Sequence, residues 1–126
     1  MLSSARINAT LPAADIERAR RFYEGVLGFV PADVQPQGVR YEAAEGAHFL
    51  VFPSSGQASG SHTQVGFQVN DIAAEVSDLR SRGVVFEAYD MPTFDRQTMI
   101  ATFETVRSAW FKDTEGNLIG LVEFAA

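Results

Sequence analysis

The feature that most constrains this chain is an internal repeat. The segment TLPAADIERARRFYEGVLGF (residues 10–29) runs a short β-like stretch into Asp15, then an amphipathic helical pattern, then a stop at Gly28. The segment VGFQVNDIAAEVSDLRSRGVVF (residues 65–86) repeats the order, with Asp71 in the place of Asp15 and Gly83 in the place of Gly28. A repeat of this length in 126 residues means two copies of one supersecondary unit within a single domain. Pseudosymmetry of this kind directs attention to the junction of the copies.

Periodicity fills in each copy. In the first, Ile7, Ala9 and Leu11 alternate with Asn8 and Thr10, the period of a half-buried strand. Asp15 is placed as an N-cap, and Ile16, Ala19, Phe22, Tyr23, Val26 and Leu27 form one apolar helical stripe. Three strands are expected next, over 29–34, 39–43 and 48–52, with Glu45-Gly46 turning between the last two. The second copy begins with Val65, Phe67 and Val69 alternating with Gln64, Gly66 and Gln68. A helix over 71–82 and a strand over 84–89 follow, then a long loop over 91–105 with a short strand near 99–102, and a closing hairpin that turns at 113–117. The fold class is therefore α+β: two βαβββ modules, about 5–53 and 64–124, joined by a Ser/Gly-rich linker at 54–63. Eight strands in this order suit a curved mixed sheet, with helices on the convex side and a cup on the other. Strand alternation sends Ile7, Ala9, Leu11, Val65, Phe67 and Val69 under the helices, and Asn8, Thr10, Gln64, Gly66 and Gln68 into the cup.

Composition narrows the chemistry. The absence of cysteine removes disulfides, thiolate metal sites and a Cys nucleophile. A net charge of −6 disfavours nucleic acid, whose affinity comes from Lys and Arg on phosphates. No apolar run approaches the roughly 20 residues that cross a bilayer, and the N-terminus lacks a signal-peptide pattern, so no membrane partner and a cytoplasmic location are expected. There is no G-x-S-x-G elbow and no phosphate-binding glycine loop. Asp15 and Asp71 are explained by helix capping, and Asp113 by its turn.

Three runs, LPAADIERARRFYEGVLGF, VGFQVNDIAAEVSDLRSRGV and WFKDTEGNLIGLVE, together resemble the vicinal oxygen chelate superfamily, the fold of glyoxalases, bleomycin-resistance proteins and extradiol dioxygenases. The resemblance covers almost the whole chain. It implies that metal-dependent members carry one ligand on the first strand of each module and one on the last. The first-strand places here hold Asn8 and Gln64, each seven residues before its capping Asp. The last-strand places hold Gly120 and a residue at or next to Leu50. That set offers neither carboxylate nor imidazole, and two amides alone do not displace the waters of Zn²⁺, Ni²⁺ or Fe²⁺. Gly120 also cannot act as a proton-transferring base. A substitute set of His48, His62, Gln64 and a carboxylate such as Asp90 is conceivable, but no spacing selects it. No metal and no cofactor are therefore expected.

What remains is a cup lined by Asn8, Thr10, His48, Leu50, Phe52, Gln64, Gln68, Trp110 and Gly120, apolar walls with a few polar groups, as suits a small-molecule site. The leading expectation is a metal-independent small-molecule binder of the bleomycin-resistance type that sequesters a drug without changing it. One alternative is a glyoxalase-like lyase or isomerase with a displaced metal or an acid–base site at His48. Another is a structural or regulatory protein whose cup is vestigial. The resemblance further implies a homodimer.

Overall fold

In a computed structural model, which describes residues 1–125, the chain divides into two compact units, one covering residues 1–57 and the other beginning at Ala58. Among the described residues there are nine strands in two mixed sheets of four and five.

The first unit holds β1 (Ala9–Ala13), α1 (Ile16–Arg20), β2 (Pro31–Gln35), β3 (Gly38–Glu42) and β4 (His48–Pro53), with strand order β1-β4-β3-β2. β1 runs parallel to β4, and the other neighbours are antiparallel. The expected β3–β4 turn forms at Glu45 (φ 57°) and Gly46 (φ 76°), closed by the Ala43 amide donating to the Ala47 carbonyl at 2.8 Å. Strand pairing starts two residues later than the alternation suggests: Ile7 has no ladder partner and is 95% exposed, so it does not pack beneath the helix. Leu11 and Ala13 are buried as expected. The core of this unit is aromatic, with Tyr23 stacked on Tyr41 at 5.8 Å and Phe49 set 5.4 Å from Tyr41.

Asp15 caps α1, accepting the Arg18 amide at 3.1 Å. Beyond Arg20 the helix widens into a π-helix over Arg21–Val26, marked by the Leu27 amide bonding to the Phe22 carbonyl. The cause is visible in the repeat. Thirteen positions separate Asp15 from Gly28 but only twelve separate Asp71 from Gly83. One added residue between a fixed cap and a fixed stop is what a π-turn absorbs. The widened turn carries Glu24, whose carboxylate accepts from Arg20 Nε and from the Tyr41 hydroxyl, both at 2.8 Å. The Arg20 hydrogen bond holds the Glu24 carboxyl below its usual range, against the opposing effect of burial. Burial foremost, then this carboxylate, pushes the Tyr41 phenol far above its ordinary value.

The second unit holds β5 (Thr63–Gln68), α2 (Ile72–Ser81), β6 (Phe94–Asp95), β7 (Ile100–Thr102), β8 (Val106–Lys112) and β9 (Leu118–Phe124), in the order β5-β9-β8-β7-β6. Asp71 caps α2 by accepting the Ala74 amide at 3.1 Å, and Glu123 Oε1 on β9 accepts the Ile72 amide at 2.9 Å. The helix ends as its sequence implies: Gly83 has φ 92°, and the Val84 amide reaches back to the Leu79 carbonyl, satisfying an otherwise orphaned acceptor. Ile72, Val76 and Leu79 on the helix are buried, as are Ala109 and Phe111 of β8 and Ile119 and Leu121 of β9. The β8–β9 hairpin is pinned by buried Asp113, which accepts the Glu115 and Asn117 amides at 2.8 and 2.9 Å and the Asn117 side-chain amide at 2.8 Å.

Two expectations are corrected here. Residues 84–89 do not form a strand: Val84 and Phe86 are buried and Val85 exposed, but only Phe86 bridges to β8, at Phe111. The reason is competition for one edge of β8, because β7 already pairs with Arg107 and Ser108 there. Conversely, the region expected as mostly loop forms the β6–β7 pair, which supplies the ninth strand.

Candidate functional site

Strand register decides which side chains share a face. In the second unit Gly66, Gly120 and Trp110 lie in one cross-strand row, and Gln68, Val122 and Ser108 in the next. The rows built from Phe67, Leu121 and Ala109, and from Ile119 and Phe111, point the other way, into the core. Trp110, Gln68 and Gly120 are therefore brought onto one sheet face, as the alternation predicts.

Gly120 does not leave an open space on this face. A Cβ there would meet Thr63 Cγ2 at 3.1 Å and the Trp110 ring atoms Cδ1 and Nε1 at 3.4 Å, so the indole lies over the position. Trp110 is held by donating from Nε1 to the Thr63 hydroxyl at 3.2 Å and by an edge-to-face contact with Tyr89 at 5.2 Å. Tyr89 in turn meets Phe94 edge-to-face at 6.2 Å. Burial, with Glu87 nearby, raises the Tyr89 phenol, which stays a neutral hydrogen-bond group around pH 7. Above Gly66 the space is open, since the nearest atom to a Cβ there is the Gly120 carbonyl oxygen at 4.0 Å. The result is an uncovered glycine position on the sheet face that carries three aromatic rings in edge-to-face contact.

Sequence reasoning missed Thr63, Tyr89 and Phe94. Thr63 is displaced into the site by a register shift between Thr63 and Val65, where the pairing passes from Thr63–Leu118 directly to Val65–Ile119. The residue against Gly120 is thus Thr63 rather than Gln64. No pattern in the sequence marks this bulge. Tyr89 is reached because the Glu87 amide donates to the Trp110 carbonyl at 2.8 Å, directing the chain past the indole.

In the first unit Thr10, Leu50 and Arg40 form one row and Pro12 and Phe52 the next, with Leu50 and Phe52 half-buried and Thr10 exposed. Asn8 is exposed and precedes β1. His48 is half-buried, paired across strands with Glu42, and borders a cavity of about 360 Å³ with Arg6, Ile7, Gly46 and Ala47. Its ring Nδ1 lies 3.4 Å from the Gly46 carbonyl oxygen. No base–orienter pair surrounds it.

The residues do not fit the divalent metal of the fold's enzymes. Asn8, Leu50, Gln64 and Gly120 contribute no anionic or imidazole donor, and the Gly120 place is covered by indole. Of the substitute set, His48 belongs to the first unit and His62, Gln64 and Asp90 to the second. His62 Nδ1 lies 3.3 Å from the Ser59 hydroxyl. Among the described residues no three His, Asp or Glu side chains gather closely enough to hold a metal.

The family model described as Glyoxalase/Bleomycin resistance protein/Dioxygenase superfamily matches residues 6–121. Solved structures with the same fold include UcmS2, at 19% identity and TM-score 0.75, covering 94% of this chain and 97% of that one. TnmS3, an antibiotic binding protein from Streptomyces sp. CB03234, matches at 22% identity and TM-score 0.73, covering 97% and 98%. Virulence protein STM3117 from Salmonella typhimurium matches at 22% identity and TM-score 0.65, covering 95% and 97%. No curated protein matches the chain by sequence.

Proposed function

We propose, for a chain that belongs to the glyoxalase/bleomycin resistance protein/dioxygenase superfamily, that it is a metal-independent binder that sequesters an aromatic small molecule. The observation that carries this reading is the indole of Trp110 over Gly120. In place of a last-strand carboxylate the chain sets an apolar ring wall of Trp110, Tyr89 and Phe94 on the face that carries the uncovered Gly66. Such a surface has no group to polarise a carbonyl or take up a carbon-bound proton, but it suits stacking against a planar ligand. Gln68 and Ser108 share the face and supply hydrogen-bonding groups. The antibiotic-binding description of TnmS3 agrees with this assignment.

Trp110 is the sole tryptophan, so its emission reports directly on the site. Titration with bleomycin and with planar aromatic antibiotics is expected to give saturable quenching for a ligand of the right class. At a hundredfold excess over its Kd, that ligand should stabilise the fold by about 2.7 kcal/mol. The ligand should be recovered chemically unchanged, and Trp110→Ala should abolish the thermal shift. Turnover of the ligand would overturn sequestration, and a stoichiometric thermal shift with Ni²⁺ or Zn²⁺ would overturn metal independence. The same reading takes the two modules as one cytoplasmic domain acting as a homodimer, which light scattering at micromolar concentration tests.

A further inference from the structure

On the helix side of the second unit lies a cavity of about 330 Å³, lined by Ala73, Val76, Ser77 and Arg80 of α2 and by Gln97, Thr98 and Ile100. The four helical residues are spaced i, i+3, i+4 and i+7, one stripe of a single face. Val76 and Ile100 are 2% and 3% exposed and make an apolar floor, while Ser77, Arg80 and Thr98 are exposed at the rim. Gln68 and Trp110 lie on the other face of the sheet, so this cavity is separate from the ring wall.

Its far wall is a built loop. Asp95 Oδ1 accepts the Gln97 amide at 2.8 Å and the Thr98 amide at 3.4 Å, and the Met99 amide bonds to the Asp95 carbonyl at 2.7 Å. Met99 is held at φ 61°, a left-handed conformation that a side-chain-bearing residue adopts only when its surroundings enforce it. Arg80 Nη1 donates to the Gln97 carbonyl at 2.8 Å, which ties the loop to α2 and fixes the guanidinium at the rim.

Arg80 makes no ion pair among the described residues. Arg20 and Arg82 each meet a carboxylate four positions away, Glu24 at 2.8 Å and Asp78 at 3.1 Å, whereas Arg80 has Val76 and Val84 at those places. In a chain of net charge −6, an oriented guanidinium lacking a carboxylate and standing above an apolar floor is a recognition element for an anion that carries an apolar body. We propose that this cavity binds a small organic carboxylate. Its carboxylate would engage Arg80 with the Ser77 and Thr98 hydroxyls, and its hydrocarbon part would cover Val76 and Ile100.

The test is an amide NMR titration of the full chain with benzoate, with benzyl alcohol and inorganic phosphate as separate probes. Benzoate is expected to move the amides of Ser77, Arg80 and Thr98 saturably. Benzyl alcohol, phosphate, and benzoate with Arg80→Gln should each bind about tenfold more weakly or worse, the usual cost of losing a charge-assisted contact or the apolar one. Because Arg80→Gln also loosens the loop, Ser77→Leu is the second variant: it keeps the Arg80–Gln97 contact, fills the cavity, and should abolish the shifts. No shift with benzoate, equal affinity for benzyl alcohol or phosphate, shifts confined to residues around Trp110, or unimpaired binding by Ser77→Leu would each overturn the proposal.

Discussion

The contact between Trp110 and Gly120 makes a quantitative prediction for Gly120→Ala. The new Cβ would stand 3.1 Å from Thr63 Cγ2 and 3.4 Å from two atoms of the indole. Alanine by itself stiffens a strand interior, a gain of about 0.5–1 kcal/mol. Forcing a methyl into filled space costs about 1–3 kcal/mol. Relief requires Thr63 to turn, and because its methyl and hydroxyl share one Cβ, turning it withdraws Oγ1 from Trp110 Nε1, now 3.2 Å away. That hydrogen bond is worth about 0.5–1.5 kcal/mol net. The balance is a destabilisation of about 2 kcal/mol, a fall in Tm of about 6–10 °C for a chain of this size. Thr63→Ser removes the obstructing methyl and keeps the hydroxyl, so the double variant should recover about 0.5–1 kcal/mol relative to additivity. Urea denaturation of the two single variants, the double variant and the parent, followed by Trp110 emission, measures the cycle. If Gly120→Ala is as stable as the parent with an unchanged native emission spectrum, or if Thr63→Ser gives no coupling, the indole does not cover Gly120 as described.

Two further predictions concern buried polar groups. Glu24→Ala should cost about 1–3 kcal/mol at pH 7, because it takes the carboxylate acceptor from the fully buried Tyr41 hydroxyl. The folded-state pKa of Glu24 is depressed, chiefly by Arg20, so its contribution is present in full above the unfolded carboxyl value, about 4.3. That contribution fades as pH falls through the lower folded value. Denaturation midpoints at pH 7 and in the acid range should therefore converge between parent and Glu24→Gln as pH falls, and a constant gap would refute the assignment. Asp113→Ala removes an acceptor that serves two backbone amides and the Asn117 side chain, and should cost about 2–4 kcal/mol by thermal melting.

What the sequence made legible is what local chemistry determines. Asp15 and Asp71 cap helices because a short acceptor before an apolar stripe satisfies orphaned amides wherever it occurs, and both do so here at 3.1 Å. The turns at Glu45-Gly46 and Asp113 are set by residues within hydrogen-bonding reach of their own backbone. Alternation placed Gln68, Trp110 and Gly120 on one face because side chains in a strand have no other choice. What stayed hidden is competition between segments. Residues 84–89 and β7 both had the composition to pair with β8, and only the finished sheet shows that β7 takes Arg107 and Ser108 while Phe86 keeps a single bridge at Phe111.

The two features that shape this molecule most are each one residue long. The additional position between Asp15 and Gly28 becomes a π-turn that delivers Glu24 to Tyr41. The register shift after Thr63 exchanges Gln64 for Thr63 against Gly120 and gives the indole its hydrogen-bond partner. A single added residue barely changes a periodic pattern, yet it reverses which side chain faces a site, because the strand period is two. In a fold whose known ligand positions lie on strands, register therefore decides chemistry as much as residue identity does. A carboxylate placed at position 120 would have to displace Thr63 and Trp110, which already hold the space.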